Sequence, residues 1–431
     1  MSIHKPLARM RDTYDDYPRQ FWVLILGTFI DRVGGALMFP FLTLYITRKF
    51  NVGMTEVGVL FGLFSIASVV GSMFGGALTD RLGRKGMLIF GLVASASTSL
   101  LMGLVNEIEL FFASVLIVGL FANVGGPAQQ AMVADLLPEE KRAQGFGILR
   151  VVANLAVTIG PAIGGLLAAR SYLSLFICDA VASLITTSIV VLAIRETRPT
   201  PREGEPEQTM TQTFGGYLHV LRDTTFVLFI GAGILMALVY MQMNTTLAVY
   251  LRDAHAISEQ GFGYIISLNA AMVVLFQFSI TRWISKYRSL ILMAVGALLY
   301  AIGFSMYGFV SAYVFFLVAM VIITIGEMLT APTSQALVAR FAPEDMRGRY
   351  MAVFGFSWVI PMAVGPLLAG LIMDNANPRW VWYGAGMVGL AAAAAFALLQ
   401  RRVERPVEQA AQAAEVVASA RCGKVRSPVT E

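Results

Sequence analysis

The chain has 431 residues, of which 57% are hydrophobic and only 14% charged, with a mean hydropathy of +0.70; a soluble globular protein does not have that balance. A formal charge of +5 and a pI near 9.2 do not indicate nucleic acid, because Lys and Arg stand at the ends of apolar runs rather than along one face. Two cysteines, Cys178 in an apolar run and Cys422 in a polar tail, support neither a disulfide framework nor a metal site, and no cofactor is expected.

Residues 1–19 are mixed in charge and lack the apolar core and small-residue cleavage site of a signal peptide, so the first span is expected to persist. Hydrocarbon offers no partner to an unpaired backbone group, and a helix of about 20 apolar residues is needed to cross it. Twelve such runs lie near 20–45, 55–78, 86–105, 110–134, 146–168, 172–194, 223–250, 260–282, 289–310, 313–338, 350–374 and 380–400. The predicted fold class is all-α integral membrane, with 12 transmembrane helices in two six-helix bundles related by a pseudo-two-fold axis. Placing both termini in the cytoplasm puts 26 of the 32 Lys and Arg residues there and five on the other face, with Arg32 inside the first span. The predicted organisation is a cytoplasmic N-terminus 1–19, a bundle 20–194, a Pro- and Glu-rich cytoplasmic linker 195–222, a bundle 223–402 and a cytoplasmic tail 403–431, which forms a surface helix or stays disordered.

Charges inside spans are expensive in lipid, which makes each one a functional candidate. In chain order these are Asp31 and Arg32, near mid-depth of the first span, and Glu327, deep in the tenth, within Thr324-Ile-Gly326-Glu327. Asp31 and Arg32 either neutralise each other as a packing pair or take part in substrate or proton binding. Glu327 has no basic residue in neighbouring turns and is the leading proton-site candidate; the alternative is a protonated acid that hydrogen-bonds a neighbouring helix. Asn123, Asn154, Tyr240, Gln242, Asn244, Asn269, Gln277 and Trp358 are polar spots that could line a cavity among Met and Phe residues. The three histidines fall outside the span interiors and there is no nucleophile constellation or phosphate loop, so an enzyme is not expected.

The chain repeats itself. At an offset of 205, PAQQAMVADLLPEEKR from Pro127 meets PTSQALVARFAPEDMR from Pro332, with eight of 16 positions identical. The same offset pairs Tyr45 with Tyr250, Gly58 with Gly263, Gly160 with Gly365 and Pro161 with Pro366. Parallel six-helix repeats form two bundles around a midplane cavity.

The segment Gly76-Ala-Leu-Thr-Asp80-Arg81-Leu-Gly83-Arg84-Lys85 resembles the cytoplasmic loop signature of the major facilitator superfamily, and Gly160-Pro161-Ala-Ile-Gly164-Gly165, echoed by Gly365-Pro366, resembles the signature of its antiporters. The first span and the Glu327 region are similar to proton-coupled drug exporters, so the resemblance covers nearly the whole chain. It implies a gating loop of Gly76, Asp80, Arg81, Gly83, Arg84, Lys85 and Asp135. In that loop Asp80 would contact the eleventh span, Asp135 would accept from Arg84, and Arg150 and Arg347 could join the cluster. It further implies helix packing through Gly160, Pro161, Gly164, Gly165, Gly365 and Pro366, and proton or substrate handling by Glu327, Asp31 and Arg32. The function expected is alternating-access, proton-coupled export of lipophilic or cationic small molecules. The alternative is proton-coupled uptake of a sugar, organic acid or peptide. The expected partners are a small-molecule substrate, protons and the lipid bilayer of the cell membrane, without nucleic acid, the chain acting as a monomer.

Overall fold

In a computed structural model the described residues are 16–122, 124–197, 220–284, 286–343 and 346–423; the side chains of 73–78, 80–82, 122, 139, 140, 143, 347, 348, 352 and 404–423 lie outside the description. Every described element is a helix, and 12 of the helical stretches are long and apolar enough to cross a membrane. The first span is α1 (Arg19–Met38) and α2 (Leu42–Phe50), joined by a 3-10 turn at Phe39–Phe41 that contains Pro40. The sequence expectation of one uninterrupted run misses this break, which follows from the amide hydrogen that proline lacks. The second and third spans are α3 (Met54–Leu82) and α4 (Arg84–Leu104), and the fourth is α5 (Ile108–Ala122) with α6 (Gly125–Leu136). The fifth and sixth are α7 (Glu139–Ala168) and α8 (Tyr172–Ala193).

The second half repeats the plan, down to the two-piece opening span α9 (Thr224–Thr245) and α10 (Leu247–His255). It continues with α11 (Glu259–Ile284), α12 (Ser289–Phe309), α13 (Tyr313–Phe341), α14 (Arg347–Asn375) and α15 (Arg379–Gly423). The last helix carries the tail sequence as its continuation. Because twelve spans alternate in direction, the two chain ends share one face, called here the termini face.

The offset of 205 is visible as geometry. Tyr45 donates to the Met102 carbonyl at 2.8 Å, and its counterpart Tyr250 donates to the Tyr307 carbonyl at 2.9 Å, both ends of the bond displaced by one repeat. Across the seam a Cβ on Gly263 would lie 3.2 Å from Gly165 Cα and 3.3 Å from the Pro161 carbonyl, and a Cβ on Gly58 would overlap the backbone of Pro366 and Leu367. Each half thus presses a small residue of its second helix against the Gly-Pro helix of the other. Lipid tails are as apolar as leucine and do not drive helices together, so close backbone contact of this kind supplies the attraction.

The packing differs from one face to the other. Opposite the termini, one apolar core joins both halves, from Phe41, Tyr45 and Val57 to Tyr250, Phe262 and Trp382. Toward the termini, the cores are separate, one made only of first-half residues such as Phe21, Met87 and Met132, another only of second-half residues such as Phe226, Tyr350 and Phe396. The structure is therefore the conformer sealed on the face opposite the termini.

Candidate functional site

At mid-depth between the halves lies a cavity of about 450 Å³. Its wall is mostly apolar and soft: Met38, Met102 and Met243 with Phe39, Phe61 and Phe64. Thioether and aryl groups of this kind adapt to varied lipophilic shapes. Set into the wall are three carboxyl side chains, Asp31, Asp179 and Glu327, and one guanidinium, Arg32.

Glu327 comes from the middle of α13. Its carboxyl oxygens accept from the Tyr240 hydroxyl at 3.1 Å and from the Asn269 amide at 2.7 Å, and that amide also donates to Thr324 at 3.0 Å. Tyr240 is on α9 and Asn269 on α11, so three helices of the second half converge on one acid. Both partners can donate, and a protonated Glu327 could donate back to the phenol oxygen or the amide carbonyl, so the site tolerates either charge state. The basic side chain in the cavity wall belongs to the first half.

Asp31 and Arg32, adjacent in sequence, separate in space. Asp31 accepts from Ser183 of α8 at 2.8 Å, whereas the Arg32 side chain is exposed to the cavity, and among the described residues no ion pair joins them. Successive residues on a helix point about 100° apart, so the two side chains leave α1 in different directions.

The sequence reading passed over Asp179, in the sixth span within Phe-Ile-Cys178-Asp179-Ala. It is 94% buried, with an exposure of 6%, and accepts from Ser99 of α4 at 2.7 Å. A Cβ on Gly34 would lie 2.8 Å from its Oδ1, which holds this carboxylate against α1 one turn from Asp31. The same rule that singled out Asp31, a charge inside an apolar span, applies equally to Asp179. Of the polar spots named from sequence, Asn154, Tyr240, Asn244 and Asn269 line the cavity, while Gln242 turns away to the Gly365 carbonyl at 3.3 Å. Gln277 bonds the Met328 carbonyl, Trp358 lines a smaller chamber behind Glu327, and Asn123 lies outside the described residues.

The loop between α3 and α4 is partly described. Gly83 adopts φ +96°, a left-handed value that a side chain would strain, and a Cβ there would sit 2.5 Å from the Glu196 carboxylate. That carboxylate, just past the sixth span, caps the start of α4 by accepting from the amides of Arg84 at 2.9 Å and Lys85 at 3.1 Å. Arg84 Nε meets Asp135 at 3.3 Å, as the loop signature implies. Gly76, Asp80 and Arg81 are in α3 with side chains outside the description, as is that of Arg347. The Arg150 guanidinium donates to Gln335 of the other half, across the seam from α7.

The fifth-span glycines contact two helices. A Cβ at Gly160 would lie 2.5 Å from the Ala36 methyl, one at Gly164 would overlap the Leu37 carbonyl, and Gly165 faces Gly263. On the sealed face, Asp374 at the end of α14 accepts from the first two amides of α3, Met54 at 2.9 Å and Thr55 at 2.7 Å. Glu259 at the start of α11 takes Arg48 at 2.8 Å and the Tyr172 hydroxyl at 2.9 Å. Both acids belong to the second half and both sets of donors to the first, so two hydrogen-bonded struts join the halves on this face.

A model of the Major Facilitator Superfamily matches residues 24–366 and 234–430. A protein named Na(+), Li(+), K(+)/H(+) antiporter from Planococcus maritimus is 29% identical over 86% of this chain and 92% of its own. The multidrug resistance protein MdtH of Shigella flexneri is 24% identical over 86% of this chain and 91% of its own. Among solved structures, a POT family transporter in complex with 5-aminolevulinic acid superposes with a TM-score of 0.76 at 18% identity, over 90% of this chain and 97% of that one. The nucleoside transporter NupG does so with 0.70 at 15%, over 89% and 99%.

Proposed function

Because the chain belongs to the Major Facilitator Superfamily, a superfamily of transporters rather than enzymes, we propose that this multi-pass membrane protein is a proton-coupled exporter of lipophilic, cationic small molecules. The observation that carries this reading is the composition of the cavity: three carboxyl groups against one guanidinium in a chamber of about 450 Å³ whose wall is mostly apolar. An inorganic cation would need the carboxylates but not the Met and Phe wall; a neutral lipophile would need the wall but not the acids. A lipophilic cation uses both. The two relatives agree with parts of this picture, one named for cation exchange against protons and the other for multidrug resistance.

With the termini in the cytoplasm, as the positive charge argues, the sealed face is the outer one and the cavity receives its load from the cell side. The substrate cation displaces the proton from Glu327 and takes the hydrogen bonds of Tyr240 and Asn269 in its place. The halves then rock, the struts at Asp374 and Glu259 part, and the loaded cavity faces outward. There a proton, more abundant outside an energised cell, returns to Glu327 and expels the substrate. In that outward-facing state the loop carrying Asp80 and Arg84 latches the cytoplasmic side. Asp31 and Asp179 form a second proton station. Exchanging two protons for one monovalent cation moves net charge, which adds about 2.3 kcal/mol of drive per 100 mV. One chain carries the whole cavity, so a monomer suffices.

The test uses proteoliposomes of known orientation loaded with tetraphenylphosphonium under an imposed proton gradient. Export predicts movement of the probe against its gradient in exchange for protons; accumulation of the probe in the direction of proton flow would indicate symport instead and overturn the reading.

A further inference from the structure

Besides the main cavity, each half contains a small chamber of its own. In the first half a chamber of about 110 Å³ lies among α1, α4, α6 and α8; in the second, one of about 60 Å³ lies among α9, α12, α13 and α14. They are the same feature duplicated: nine of the thirteen residues lining the first have their counterparts, 205 positions on, lining the second. Thr28 answers to Gly233, Leu88 to Met293, Ser95 to Tyr300 and Gln129 to Ser334. Each chamber also shares an acid with the main cavity, Asp31 in the first half and Glu327 in the second, so each acid stands in a partition with space on both sides.

The first-half chamber is polar on the inside, with Thr28, Arg32, Ser95 and Gln129 around Asp31. The Gln129 amide donates to Thr28, whose hydroxyl in turn donates to the Leu24 carbonyl, an ordered row of donors and acceptors leading away from the acid. Space of this size with polar walls holds about three or four waters, at roughly 30 Å³ each. The chamber extends from mid-depth toward the termini face, where Leu24, Leu88 and Val190, each within about a turn and a half of a helix end, form an apolar collar. A collar made only of side chains opens by rotamer motion, on timescales of microseconds or less.

We infer that this chamber is a hydrated proton path that reaches Asp31 from the termini face, behind the substrate cavity, so that Asp31 exchanges its proton while a substrate occupies the main cavity. The inference rests on the reading of Asp31 as a coupling group. It solves a geometric problem of that reading: a lipophilic cation filling the main cavity would otherwise cut Asp31 off from water at the moment its proton must leave.

Gly126 makes the path testable. A Cβ there meets no atom within 4 Å, so Gly126→Leu fills the chamber without displacing a neighbour's backbone, whereas a Cβ on Gly91 would lie 2.8 Å from the Gly125 backbone and would not be tolerated. Gln129→Leu, similar in size, dries the chamber by a second route. In proteoliposomes with tetraphenylphosphonium, both variants are expected to bind the probe like the parent protein but to turn over at least about tenfold more slowly under a proton gradient. Gly126→Ser is expected to stay within about twofold. The slowing should be relieved as proton concentration on the termini side falls, which a merely misfolded protein would not show. If Asp31→Asn keeps the parent's response to membrane potential, the reading of Asp31 fails and takes the path with it. If Asp31→Asn loses that response while both leucine variants turn over like the parent, the path alone is overturned.

Discussion

The two halves share a backbone and not a chemistry. Their helices, the Tyr45 and Tyr250 hydrogen bonds and the side chambers all repeat at one offset, yet the charges do not: Asp31 and Arg32 face Met236 and Ala237 as counterparts, and Glu327 faces Ala122. The first half holds its acids with serine hydroxyls from two helices; the second holds one acid with a phenol and an amide. The comparison teaches that duplication supplied a cavity and two partitions, while the ionisable groups were distributed so that the halves do different work. In the mechanism proposed above, the second half exchanges the proton for substrate, and the first adds charge transfer and keeps a separate proton route.

The largest effect that would break this division is expected from Glu327→Gln. Proton-driven extrusion of tetraphenylphosphonium should fall by about a hundredfold or more, with probe binding within a few-fold of the parent; extrusion that persists would mean the first-half acids suffice. Asp31→Asn should leave extrusion working on a pH gradient but remove its response to membrane potential. At 100 mV that is about 2.3 kcal/mol, or roughly fiftyfold in accumulation, read by applying a potassium diffusion potential. An unchanged response would place both charges in the second half.

A smaller effect tests the sealed face, where the two halves meet through second-half acids. Neutralising both struts, Asp374→Asn with Glu259→Gln, should shift the population toward opening there by about 1–3 kcal/mol, the usual size of such couplings. With Cys178 and Cys422 replaced by serine, a cysteine at the buried position of Ile46 should react with a membrane-impermeant maleimide about tenfold faster; an unchanged rate would mean that packing, not charge, seals the face. The smallest effect is expected from Gly160→Ala, whose added methyl meets Ala36. Overpacking there should cost about 1–3 kcal/mol in thermal unfolding, while the equivalent Gly365→Ala, with only the Gln242 amide 3.2 Å away, should cost less.

Most of the fold was legible because lipid makes simple demands: long apolar runs, charges at their ends, and a repeat marked by Pro, Gln and Arg, which apolar drift does not produce by chance. Glu327 was legible for the same reason, an acid isolated in an apolar run. What surrounds it was not, since Tyr240 and Asn269 lie 87 and 58 residues away and meet it only through helix packing. Asp179 carried the same signal as Asp31 but lacked the adjacent Arg32 that drew the eye to the first span. The struts at Asp374 and Glu259 look in sequence like ordinary helix-end charges, and only the seam between halves gives them partners. Gly83 stands out as part of the loop signature, but Glu196, which fills the space its missing side chain leaves, stands in what reads as linker.

The division of work rests above all on Glu327 giving up its proton to a bound cation, and this is measured most directly by adding tetraphenylphosphonium to the purified protein in weakly buffered detergent solution and following pH with a dye. The parent protein is expected to release protons in proportion to the probe bound, and Glu327→Gln to bind the probe with that part of the release missing. Equal proton release from the two proteins at equal occupancy would contradict the account.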